Sequence, residues 1–99
     1  MKEFENKEVI VAKQTTTYGE LLTMCLDKPP QNGFSGKEIR QRGRVAKAID
    51  DTEDGTIKFE DADYAKALEC VKAMMWAVRD DKLSTFEDDF IAAENEKQE

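Results

Sequence analysis

Arg40, Arg42 and Arg44 alternate within five residues and are three of the four arginines in the chain, with Lys37 and Lys47 on either side. Guanidinium groups at this density are suited to binding carboxylates or phosphates through paired N–H donors. The rest of the chain is acidic, with a formal net charge of -7 over 99 residues. Segment 37–47 holds five cations and one anion, whereas 50–63 holds seven acids and one lysine, and 80–99 holds eight acids and two lysines. Such a local inversion of charge suits docking on an acidic protein surface, or pairing with the chain's own acidic segments. Nucleic acid is the third reading. One short basic helix would neutralise few phosphates, and the remaining surface would oppose their approach.

The residue inventory removes several chemistries. The chain has no histidine, so histidine acid–base catalysis, Ser-His-Asp and Cys-His triads and Cys₂His₂ zinc sites are excluded. Cys25 and Cys70 are the only cysteines. Both lie in helical apolar patterns and are expected to be reduced core residues, since a free cysteine packs as a small hydrophobe. A disulfide between them would need Cα atoms within about 7 Å. No glycine-rich phosphate loop occurs. Carboxylates are too many for one pair to be singled out, so the chain is not expected to be an enzyme, and no cofactor is implied.

Residues 50–61, Asp50-Asp51-Thr52-Glu53-Asp54-Gly55-Thr56-Ile57-Lys58-Phe59-Glu60-Asp61, resemble the calcium loop of the EF-hand family. Asp50, Asp54 and Gly55 match its first, fifth and sixth positions, and Ile57 its apolar eighth. The resemblance implies calcium ligation by Asp50, Thr52, Asp54 and Asp61. It departs from the family in Thr52, where the third ligand is acidic, and in Asp61, one carbon shorter than the bidentate glutamate. An Asp-Gly turn followed by a strand, without metal, is the reading preferred here.

A second candidate surface is aromatic. Helical periodicity places Tyr64, Ala67, Leu68, Val71, Met74, Met75 and Val78 on one face, read as core, with Trp76 on its flank. Phe86, Phe90 and Ile91 of the last helix are expected to cover Trp76. Otherwise Trp76, Phe86 and Phe90 form a partner-binding patch, since tryptophan is frequent among interface anchors.

These residues need elements to hold them. Residues 1–7 read as a charged, loose tail. Val9-Ile10-Val11-Ala12 and Thr56-Ile57-Lys58-Phe59 read as short strands that could pair. Thr17 with Glu20, Ser35 with Glu38 and Ser84 with Glu87 have capping-box spacing. They open helices expected at about 18–27, 36–49 and 84–93, and an acidic start opens another at about 62–78. Phe34 is placed to staple onto Ile39. On the helix at 36–49, Lys37, Arg40, Arg44 and Lys47 form a stripe about 80° wide, opposite Ile39, Gly43, Ala46 and Ile49, which are expected to face the core. Arg42 falls inside that apolar face and must snorkel outward or meet an internal carboxylate. Residues 94–99 read as a tail.

The expected fold is therefore a single α+β domain, 1–99, of four helices with a minor two-stranded β element. Apolar content is 39% and charged content 37%, against roughly 45–50% and 25% in typical domains. The core should be small, or completed by a partner. No apolar run could span a bilayer, and no signal-peptide pattern opens the sequence, so a cytoplasmic protein is expected. In style the chain is similar to short proteins of tailed phages, being rich in helix caps, charged and free of motifs. That likeness implies an assembly accessory or an inhibitor of a host protein. The expected function is non-catalytic binding to another protein, with a single-loop calcium binder as the alternative.

Overall fold

The computed structural model describes residues 2–52 and 54–93. Its elements follow the order β1 (Lys2–Glu5), β2 (Glu8–Val11), β3 (Gln14–Thr17), α1 (Tyr18–Asp27), α2 (Gly36–Asp50), β4 (Thr56–Phe59), α3 (Asp61–Ala73) and α4 (Asp81–Ala92). This is an α+β fold of four helices with two small antiparallel sheets, where a single β element was expected. The expected tail at 94–99 lies outside the described residues.

Strand pairing differs from expectation. Residues 2–5 are a strand rather than a tail. β1 pairs with β4 so that Phe4 lies opposite Ile57 and Glu3 opposite Lys58. The first match buries apolar groups and the second sets opposite charges across the ladder. Phe4 stacks on Tyr18 at 5.4 Å between ring centres and meets Phe90 edge-on at 4.8 Å. One aromatic residue thus carries a strand whose neighbours are all charged. β2 pairs with β3 rather than with β4, in a hairpin closed by Ala12 and Lys13. Both turn residues have positive φ, 51° and 67°, the backbone sense that suits a two-residue hairpin. Neither residue is the glycine or asparagine that would have announced the turn.

α1 starts where its cap places it. The Thr17 hydroxyl accepts from the Glu20 N–H at 3.2 Å, while the Glu20 carboxylate accepts from the Thr16 hydroxyl at 2.7 Å. The Asn6 side-chain oxygen accepts from the Gly19 N–H at 2.7 Å. A Cβ at residue 19 would lie 3.0 Å from that oxygen, so glycine permits the approach. α2 is capped by Ser35, whose hydroxyl accepts from the Glu38 N–H at 3.1 Å.

α2 is turned relative to expectation. Val45 is its one fully buried residue, with Ala46, Ala48 and Ile49 packed partly against the core. Ile39, expected inside, is 60% exposed, and Gly43 is exposed. At 3.6 residues per turn the inward direction has moved by about 100°. The cause is polar. The N-terminal half of α2 meets its neighbours through Glu38 and Arg42 rather than through Ile39. Phe34 does not staple a buried Ile39; the Arg42 guanidinium lies over its ring, 5.1 Å from the centre.

α3 ends at Ala73, five residues earlier than the apolar period suggests, and Met74 is extended. α4 begins at Asp81, capped by Asp80, whose carboxylate accepts from the Lys82 N–H at 2.9 Å. Ser84 does not open that helix; it lies inside it. Leu83, Phe86 and Phe90 point inward from α4. With Phe4, Tyr18, Phe59 and Tyr64, the two phenylalanines form a continuous aromatic core.

Candidate interaction surfaces

The four cations of the expected stripe are all exposed on α2, but they are not equivalent. Arg44 approaches Asp63 at 3.6 Å and Lys47 meets Asp51 at 3.1 Å. Two charges of the stripe are thus engaged by the acidic segment that follows. Lys37 and Arg40, nearer the start of α2, have no ion-pair partner among the described residues. Exposed Ile39 stands between them in sequence. The outer face of α2 therefore presents two cations, unpaired among the described residues, beside an apolar side chain.

Arg42 is separate from this face. Its Nε donates to Glu38 at 2.9 Å, and its Nη1 donates to the Leu26 and Lys28 carbonyls at 2.8 and 3.0 Å. It therefore closes the end of α1, where the turn into Pro29 leaves carbonyls without helical partners. Glu38 also receives Lys66 of α3, which in turn reaches Glu69 at 3.2 Å. Hydrogen bonds from Lys66 and Arg42 hold the Glu38 carboxyl below its ordinary range. Burial disfavours the Lys66 ammonium, but its bonds to Glu38 and Glu69 outweigh that and raise its pKa. Lys66 is a component that the sequence reading missed.

The partner-binding role considered for Phe86 and Phe90 is corrected. Both are fully buried, because α4 packs its apolar face inward and leaves neither ring to a partner. Trp76 is half-buried beyond the end of α3. Its ring meets Phe86 edge-on at 6.2 Å, and its Nε1–H donates to Glu87 at 2.7 Å. The residues placed in a core stripe around it are distributed differently. Met75 is 75% exposed and Val78 is also exposed, as is Met24 of α1. With Val11, Leu21, Met74 and Leu83 they line a groove of about 440 Å³ between the hairpin and segment 74–78. The Met74-Met75-Trp76 run was the available signal, and the helical period absorbed it.

The candidate calcium ligands run from the end of α2, through the turn at Asp54 and Gly55, to the start of α3. Asp50 is the last residue of α2, and the Thr52 hydroxyl donates to the Ile49 carbonyl at 2.6 Å. Asp54 and Gly55 make a turn with φ of 55° and 74°, while Asp61 begins α3 beyond β4. Among the described residues no group of three or more acidic or cysteine side chains is arranged to hold a metal ion. Cys25 and Cys70 are buried free thiols. Burial, then the nearby Glu87 and Cys70, push the Cys25 thiol up to about 12, so it stays protonated at neutral pH and is a poor nucleophile.

No helix among the described residues is long and apolar enough to cross a membrane. No protein-family model matches the chain, and comparison with curated proteins and with solved structures found no match.

Proposed function

We propose that this chain is a non-catalytic cytoplasmic protein that binds another protein, docking the outer face of α2 on an acidic surface. The observation that supports this reading is the pair of cations, Lys37 and Arg40, unpaired among the described residues, beside exposed Ile39 on a helix that gives the core one fully buried side chain. The acidity of the rest of the chain would steer a partner's carboxylates to this face and away from others. Arg44 and Lys47, held by their own acids, extend the face without supplying its free charge. In the manner of the tailed-phage proteins that the chain resembles in style, such binding would serve assembly or the inhibition of a host protein.

The test is affinity capture at low salt with wild type and with the double variant Lys37→Glu/Arg40→Glu. An acidic protein retained by wild type and lost from the variant supports the reading, provided both melt at the same temperature. Retention by both removes the α2 face from the account. Tight, steeply salt-dependent binding of wild type to random duplex DNA replaces it with the nucleic-acid reading.

A further inference from the structure

The groove between the hairpin and segment 74–78 has an open strand edge on one wall. Because two residues close the hairpin, Val11 and Gln14 are a hydrogen-bonded pair, and so are Val9 and Thr16. Thr15, between them, turns its N–H and C=O away from β2. Among the described residues the sheet has only these two strands, and Thr15 is itself part of the groove lining. Opposite stand Met75, Trp76 and Val78, with Met24 beside them. Methionine side chains adapt to the shape of whatever packs on them. A strand edge beside apolar pockets is the arrangement by which proteins take up extended peptides: the edge supplies main-chain hydrogen bonds and the pockets select alternate side chains.

Charge adds a direction. The carboxylates nearest the groove are engaged within the molecule. Glu20 accepts from the Thr16 hydroxyl and Glu87 from Trp76. Asp80 accepts from the Ala12 N–H at 3.0 Å and from the Lys82 N–H. The bond from Ala12 to Asp80 joins the hairpin tip to the loop and marks one end of the groove. Lys13 and Arg79 adjoin that junction in sequence. Both are exposed, and neither has an ion-pair partner among the described residues. Two cations thus flank the single carboxylate of Asp80 at that end of the groove, a local excess of positive charge that favours a carboxylate there.

We propose that the groove binds an extended peptide segment of another protein, which adds a third strand beside β3. Its alternate apolar side chains seat against Met24, Met75 and Val78, and its acidic residue or terminal carboxylate lies toward Lys13 and Arg79. This surface is distinct from the α2 face and does not depend on it.

The probe is a random linear peptide library displayed against the full chain, followed by titration of enriched peptides monitored by Trp76 emission. The expected consensus alternates apolar and polar residues and ends in an acid. Binding should shift Trp76 emission to the blue. Met75→Glu, Thr15→Pro and the double variant Lys13→Glu/Arg79→Glu should each weaken binding about ten-fold or more, and the last should also remove the acid from the consensus. Thr15→Pro deletes an outward N–H and no hydrogen bond between β2 and β3. If it nevertheless lowers the melting temperature, peptides N-methylated at alternate residues make the same test and should lose binding. The proposal is overturned if nothing is enriched, if the consensus has helical or polyproline spacing, or if the variants and the methylated peptides bind as well as their parents. It is also overturned if the chain forms a concentration-dependent dimer that Thr15→Pro dissociates, since the occupant is then a second copy's hairpin.

Discussion

Glu38 on α2 and Lys66 on α3 form an ion pair that joins the two helices, and Lys66 is 8% exposed. Arg42 binds the same carboxylate and ties the end of α1 to it. Three helices thus converge on one acidic side chain. Glu38→Gln leaves Arg42 without its carboxylate and Lys66 with only the exposed Glu69, whereas Lys66→Met replaces the buried ammonium with an apolar chain of similar length and leaves Glu38 to Arg42. The glutamine variant should therefore melt several degrees lower than the methionine variant, because a buried charge that has lost its nearer partner is worse than none.

The same network sets a pH window. Glu38 is held below its unfolded pKa, so its contribution is present above the ordinary carboxylate range and is lost as pH falls through the folded value. Lys66 is raised, so its contribution is present below the ordinary lysine range and is lost as pH rises through the folded value. Wild type should show a stability plateau across neutral pH that falls at both ends. Lys66→Met should abolish the alkaline fall attributable to Lys66, as read from melting temperature against pH.

Phe90→Ala removes a fully buried ring that contacts Phe4, Phe59 and Tyr64. A loss of about 3–5 kcal/mol is expected, a large fraction of a small domain's stability. Truncation after Arg79 should unfold the chain and shift Trp76 emission to the red. Survival of the truncated protein with unchanged emission would show that α4 is dispensable to the core.

Millimolar calcium should leave the melting temperature unchanged. A metal at about 100 times its dissociation constant would add about 2.7 kcal/mol. A calcium-dependent rise abolished by Asp50→Ala would revive the EF-hand reading.

The turn of the β2–β3 hairpin offers the reverse, a stabilising change. Lys13 has φ of 67°, where a side chain costs about 1–2 kcal/mol relative to glycine. Lys13→Gly should stabilise the fold by about 1 kcal/mol and so raise the melting temperature by about 4–8 °C. Asp80→Ala should lower it, and should speed amide hydrogen exchange at Ala12 and Lys82, the two N–H groups that its carboxylate accepts from.

How much of this was legible depended on how local the determinant is. Thr17 and Ser35 caps are written within four residues, and α1 and α2 start where those residues place them. The end of α3 is not written locally. The apolar period continues to Val78 without glycine or proline, yet the chain turns extended at Met74, and Trp76 beyond it bonds to Glu87 of α4. The orientation of α2 was ambiguous because Ile39 lies at one edge of its apolar side and Val45 at the other, with Ala46 and Ile49 between them. The choice fell to Glu38, Arg42 and Lys66, and Lys66 lies on a different helix. The strand at Lys2–Glu5 was hidden because one phenylalanine among charged residues makes almost no alternating pattern. The arginine cluster was visible from composition, but which of its members remain free was decided by Asp51 and Asp63.

The pairing of Phe4 with Ile57 has a consequence for the order in which the chain organises itself. The β2–β3 hairpin closes over a two-residue turn, so it can form early and locally. The β1–β4 ladder joins residues about fifty positions apart, and that closure pays an entropy that local contacts do not. Rates follow such separations. The helices and β4 can gather first, and β1 then arrives as the last strand, with Phe4 sealing the aromatic core. Until it does, the edge of β4 and the rings of Tyr18 and Phe90 are open to other chains, so the interval before β1 docks is when this protein is most exposed to aggregation.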